Sequence, residues 1–124
     1  MRLLLDTQIM LWWLLDDPRV GSSTRQLMAS TACVVSAASI WEVAIKHRLG
    51  KLPVPPVVFR EQSLEAGASI LVIQDGHVIE AGQLPLLHAD PFDRLLIAQA
   101  RLEGLMAVSA DAHWSGYDVS LHRV

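Results

Sequence analysis

Five carboxylates stand where chemistry, and not folding alone, could use them: Asp6, Glu42, Asp90, Asp93 and Asp111. Asp6 closes the apolar run RLLL, Asp111 follows the run LMAVS, and Glu42 lies inside SAASIWEVAIK. Asp90 and Asp93 bracket a proline and a phenylalanine in HADPFDRLL. Each acid has a structural use. Asp90 suits a helix N-cap, Pro91 the first helical position, and Asp93 a capping box. Ser39-x-x-Glu42 matches the same capping pattern, and Glu42 precedes Lys46 by one helical turn, the favourable order for an ion pair. Asp6 and Asp111 could each cap the helix or turn that follows. Taken singly, caps and pairs account for all five. Gathered at one edge, however, like charges repel and their pKa values rise unless a cation neutralises them. Oxygen donors without cysteine or paired histidine favour Mg²⁺ or Mn²⁺ over zinc. Such an ion activates water and stabilises phosphoryl charge, and two of them ~4 Å apart clamp both oxygens of an in-line displacement. The chemistry this suggests is phosphodiester hydrolysis.

Whether the acids meet depends on the elements that carry them. Arg2–Leu5 reads as a strand, and Thr7 to about Leu15 as a helix apolar on nearly every side. Asp17-Pro18 and Gly21 mark a turn, and Ser22 can cap a second helix through about Ala29. Ala32–Val35 is a buried-type strand, and Ser36 opens a helix to about Leu49, stopped by Gly50. A loop with Pro53, Pro55 and Pro56 leads to a helix over 57–66 and a strand at Ser69–Ile73. Asp75 can cap a short helix ending near Gly82. A helix from about Pro91 to Glu103, with Gly104 after it, feeds a strand at Leu105–Ser109. Asp111 then begins a turn, and Val119–Leu121 makes a small final strand. Apolar strands alternating with helices predict an α/β fold whose small, mostly parallel sheet is covered on both faces. Ligands of such sheets collect at the carboxyl ends of the strands, and Asp6, Glu42, Asp93 and Asp111 are expected there.

The chain of 124 residues is long enough for one domain with a real core, 52% hydrophobic and 19% charged. A net charge of −3 argues against broad attraction to nucleic acid, so any such contact needs a local basic patch. KHRLGK, residues 46–51, is the best candidate, although cations at a helix end also complement the helix dipole. One cysteine, Cys33, excludes an internal disulfide and suits a reducing cytosol. In a buried strand it reads as a small core residue, and His113 reads as an isolated surface histidine. The apolar stretch 9–15 is far short of the ~20 residues of a membrane span. No cleavage site follows it, so the expected location is the cytoplasm, away from membranes. Trp12 and Trp13, ~100° apart on a helix, cannot fill one core layer, so one of them is a candidate partner contact.

MRLLLDTQIMLWWLL, VVSAASIWEVAIKHRLGKL, HADPFDRLLIAQA and AVSADAHW…YDVSL, in this order and spacing, resemble a PIN-domain ribonuclease. The resemblance is closest to the VapC-type toxins of bacterial toxin–antitoxin pairs and runs over nearly the whole chain, 1–124, as one PIN domain. It implies a three-layer α/β/α fold of about four or five strands. It also implies a Mg²⁺- or Mn²⁺-dependent endoribonuclease acting on structured RNA, often tRNA and sometimes ribosomal RNA. The family's metal-binding acids fall on Asp6, Glu42, Asp93 and Asp111, with Asp90, Ser109 and Thr7 as accessories. Asp6, Glu42 and Asp93 would hold the principal ion, and Asp111 would complete the site or serve a second. Lys46, Arg48, Lys51 and Arg94 are candidate RNA contacts. A homodimer and a cognate VapB-type antitoxin are the implied partners. Two positions depart from the pattern: Gln8 stands where relatives often carry His, and Trp114 where Phe is usual. Neither change removes a metal ligand. A phosphatase of the haloacid-dehalogenase type would want a second aspartate at position 8, which is Gln. A receiver module would want a lysine after a late strand, and none follows Lys51. A catalytically silent module with the same acidic edge is the remaining alternative.

Overall fold

Leu3 and Leu5 point to one side of the first strand and Leu4 to the other, and all three are buried. That alternation inside an unbroken apolar run is the mark of a strand covered on both faces. In the computed structural model, which describes residues 1–124, this strand, β1 (Arg2–Leu5), is the centre of the sheet. The elements that follow are α1 (Thr7–Leu14), a 3₁₀ turn (Pro18–Val20), α2 (Ser22–Ser30) and β2 (Ala32–Ser36). Next come α3 (Ala37–Arg48), α4 (Pro56–Glu65), β3 (Ser69–Leu71) and α5 (Asp75–Gln83). The chain finishes with α6 (Pro91–Glu103), β4 (Met106–Ser109), a 3₁₀ turn (Ala112–Gly116) and β5 (Leu121–Arg123).

The five strands are all parallel, in the order β3-β2-β1-β4-β5. Two cores flank the sheet. Leu3, Leu5 and Val35 pack with Ile9 and Met10 of α1 and Phe59 of α4 on one face. Leu4, Val34 and Ala107 pack with Leu96 and Ile97 of α6 and with Trp114 on the other. The architecture is therefore the three-layer α/β/α arrangement expected from the sequence. No helix is long and apolar enough to cross a membrane.

Local chemistry explains most boundaries. Ser36 caps α3 by accepting from the Ala38 N–H at 3.0 Å. Gly104 ends α6 in the left-handed region, φ 64°, where a side chain would be strained. Several expectations shift. Gly21, not Ser22, occupies the cap of α2. Gln74, not Asp75, caps α5, in a reciprocal box with the His77 side chain. The strand expected at Ser69–Ile73 stops at Leu71, because β3 is an edge strand and Val72 and Ile73 run out into solvent. The last strand is Leu121–Arg123 rather than Val119–Leu121, since pairing with β4 begins at Ala107 opposite Leu121. Trp12 and Trp13 both pack partly against the core. The Arg19 guanidinium covers the Trp12 ring at 4.5 Å, and Trp13 remains half-buried on the same helix.

Candidate active site

The strand order reverses direction between β1 and β4, and in open parallel sheets a crevice forms at the carboxyl ends there. Asp6 follows β1 directly, and its backbone N–H extends the ladder to the Val108 carbonyl at 3.0 Å. Asp111 lies two residues beyond β4 and caps the following 3₁₀ turn by accepting from the His113 N–H. Glu42 projects from the middle of α3, and Asp93 from the first turn of α6. These four carboxylates and Asp90 line one cleft of about 240 Å³, together with Thr7, Gln8 and Lys46.

Asp90 and Asp93 have different duties. Asp90 Oδ1 accepts from the Phe92 and Asp93 N–H groups, at 2.8 and 3.4 Å, and so starts α6 with Pro91 behind it. The Asp93 carboxylate does not turn back to complete a capping box; it faces the cleft. Ser109 positions two acids at once: its hydroxyl donates to Asp6 Oδ2 at 2.8 Å and accepts from the Asp111 N–H at 3.0 Å. Thr7 donates to Ser39 at 2.8 Å, pinning α1 to α3 rather than touching a carboxylate. Ser39 is therefore a buried bridge inside α3 and not a cap for Glu42.

The electrostatics show an excess of negative charge. Burial, with the nearby Glu42 and Asp111 charges adding to it, pushes Asp6 from the ordinary 3.8 up to about 6 despite the Ser109 hydrogen bond. Burial and the charges of Asp6 and Asp90 push Asp93 up to about 7. Glu42 Oε2 pairs with Lys46 Nζ at 2.9 Å, while its other oxygen, Oε1, is buried with no hydrogen-bond partner. An orphaned carboxylate oxygen beside two acids that resist ionisation is a donor set that could hold a cation. All the donors are oxygens, which fits a hard divalent ion.

One neighbour of the cleft's acids has no counterpart among the sequence-derived candidates. His88 Nε2 hydrogen-bonds Asp111 Oδ2 at 2.9 Å and lies 2.8 Å from Asp93 Oδ2. Burial lowers the affinity of this ring for a proton, but the Asp111 hydrogen bond and the charges of Asp93 and Asp111 outweigh it and hold its pKa above the usual 6.5. Asp111, although burial opposes it, is held down to about 2 by hydrogen bonds from His113 and His88. His113 is not isolated: its Nδ1 sits 2.9 Å from Asp111 Oδ1 and its ring 4.7 Å from that of His88. The signal for His88 was its place, two residues before the cap of a helix that delivers an acid to the sheet edge.

A PIN-domain family model matches residues 3–119. The chain belongs to the PIN-domain family. No individual curated protein matches it by sequence. Among solved structures, this PIN chain is similar to VapBC2 from Rickettsia felis bound to a promoter DNA fragment. The TM-score is 0.74 at 15% identity, over 99% of this chain and 98% of that one. DNA-bound VapBC from Salmonella typhimurium gives 0.72 at 15% identity, over 99% and 98%. The sarcin–ricin-loop-cleaving toxin VapC20 of Mycobacterium tuberculosis gives 0.67 at 16% identity, over 98% and 99%. At these identities the likeness is one of fold.

Within the PIN fold the four basic candidates divide. Lys46 lines the cleft but is paired with Glu42. Arg48 lies on another face of α3, beside the exposed Trp41. Lys51 is exposed in the turn after α3. Arg94 is committed to the protein itself. Its guanidinium donates to the carbonyls of Ala81, Leu84 and Pro85 at 2.8 to 3.0 Å, strapping the loop that carries His88. It is a structural clamp and not a free RNA contact. Of the two departures from the family pattern, Gln8 reaches the cleft and Trp114 is wholly buried in the α6-side core.

Proposed function

We propose that this PIN-domain chain is a VapC-type toxin: an endoribonuclease that hydrolyses a phosphodiester of structured RNA, such as tRNA or ribosomal RNA, using Mg²⁺ or Mn²⁺. A VapB-type antitoxin would neutralise it. The observation that carries this reading is the convergence of Asp6, Glu42 and Asp93 in one cleft, two of them with raised pKa values and the third with an unpartnered buried oxygen. Family membership adds support, as does the likeness to a toxin that cleaves the sarcin–ricin loop.

Asp6, Glu42 and Asp93 would hold the ion, with Asp111 completing the set. When bound, a divalent ion supplies charge neutralisation at the phosphoryl group and makes water a better nucleophile at neutral pH. The protein's own contribution is orientation. Ser109 fixes the Asp6 carboxylate, Asp90 and Pro91 fix where Asp93 points, and Lys46 neutralises one oxygen of Glu42. Lys46, half exposed at the rim, is also placed to meet an RNA phosphate. For partners, two groups stand out among the exposed apolar side chains. Trp41, Leu49 and Val57 lie on α3, at its end and on α4, and Val72, Val78 and Ile79 lie around α5. Surfaces of this kind support a second copy and an antitoxin as occupants.

The test is to express the chain alone and sequence the RNA ends that appear. The expected result is a discrete cut in one RNA species with wild type and none with Asp93→Asn. Uncut RNA with wild type, or the same cut with Asp93→Asn, would sink the reading.

A further inference from the structure

We propose that His88, Asp111 and His113 form a second cation site, beside the all-oxygen set and sharing Asp111 with it. It would take a borderline first-row ion of the Zn²⁺ or Co²⁺ kind rather than Mg²⁺. One ligand atom from each residue lies within 4.8 Å of the others. His88 Nε2 approaches Asp111 Oδ2 at 2.9 Å and His113 Nδ1 approaches Oδ1 at 2.9 Å, so the two imidazoles address opposite oxygens of one carboxylate. Around an ion with ligand bonds of ~2.0–2.2 Å, neighbouring donors sit roughly 3 to 3.5 Å apart. With Asp111 Oδ2 as the shared ligand, the 2.9 Å spacing to His88 Nε2 is already there, and turning the exposed His113 ring closes the others.

The other imidazole is fixed. The His88 backbone N–H donates to the Tyr117 hydroxyl at 2.9 Å, and Arg94 straps the preceding loop. The Asp90 N–H meets His88 Nδ1 at 3.2 Å, which puts the ring proton on Nε2, between Asp93 and Asp111. A cation takes the Nε2 lone pair instead, with the ring proton on Nδ1. The long contact to Asp90 is then the only hydrogen bond given up besides those the ion replaces. Two imidazoles and one carboxylate with open positions form a donor set that selects first-row transition ions, whereas Mg²⁺ prefers oxygen alone. Occupancy ties Asp111 to the histidines and lifts the His88 N–H from Asp93. Any effect of this on RNA cleavage rests on the function proposed above; the binding rests on the geometry alone.

The test uses the tag-free, chelator-stripped full chain, titrated with Co²⁺ in the presence of saturating Mg²⁺, which competes for Asp6, Glu42 and Asp93. The expected result is one equivalent of Co²⁺ with a visible ligand-field spectrum showing nitrogen ligation, displaced by Zn²⁺. His113→Ala should weaken Co²⁺ by roughly tenfold or more, since even losses behind a metal's ligands cost 10–100-fold. Its far-ultraviolet dichroism should match wild type, because His113 is exposed. No Co²⁺ bound above Mg²⁺, or equal Co²⁺ affinity in His113→Ala, overturns the proposal. RNA cleavage by wild type in Mg²⁺ is scored separately. Cleavage without a Co²⁺ site sinks only this inference, and a Co²⁺ site without cleavage sinks only the nuclease reading.

Discussion

Asp6 and Asp93 are withdrawn from water beside Glu42, Asp90 and Asp111, with Lys46 paired to Glu42 and His88 beside Asp93 as the basic neighbours. Each buried carboxylate therefore opposes the metal-free fold even as it prepares the site for a cation. Asp93→Asn removes one of these charges at nearly constant shape. The metal-free variant should melt higher than wild type at pH 8 while losing RNA cleavage. A lower melting temperature would show that Asp93 is structural. Asp90 should behave in the opposite sense. Asp90→Ser keeps a capping hydroxyl and should retain the fold and most activity, whereas Asp90→Ala should cost about 1 kcal/mol of stability by urea denaturation. Inactive but stable Asp90→Ser would reverse this division of labour.

Elements decide which of these residues were legible in the sequence. Acids at the ends of apolar runs could be placed at one sheet edge because a parallel α/β order brings strand ends together, and Asp6, Asp93 and Asp111 follow from that. Glu42 followed from its depth in the helix after β2. His88 did not, because its position depends on the path of loop 84–90. That path is set by Arg94 reaching back to three carbonyls and by the Tyr117 hydroxyl donating to Pro85. No local pattern encodes such a clamp, and the same fact removes Arg94 from the RNA-binding candidates. The short edge strands β3 and β5 were misplaced by two residues for a related reason: an edge strand ends where pairing stops, not where apolar residues do. Arg94→Ala removes the guanidinium's bonds to those carbonyls and should destabilise the protein by about 1–3 kcal/mol. Its amide exchange should rise first in residues 81–88. Unchanged protection there would mean the clamp does not hold the loop.

At the scale of the molecule, the raised carboxylates tie stability to pH. Asp6 and Asp93 ionise at 3.8 when unfolded and at about 6 and 7 when folded. Between these values the native state holds more protons, so stability falls as pH rises. Metal-free protein should therefore be less stable at pH 8 than at pH 5, and Mg²⁺ or Mn²⁺ should restore most of the difference. A melting temperature that rose from pH 5 to 8 without metal would contradict the charge excess on which the site rests. The most direct measurement is cleavage of a structured RNA by purified chain, followed as discrete fragments, with Mg²⁺, with Mg²⁺ plus excess EDTA, and with folded Asp93→Asn in Mg²⁺. Fragments are expected in the first reaction only. Equal cleavage in all three would contradict a metal-dependent ribonuclease at Asp6, Glu42 and Asp93.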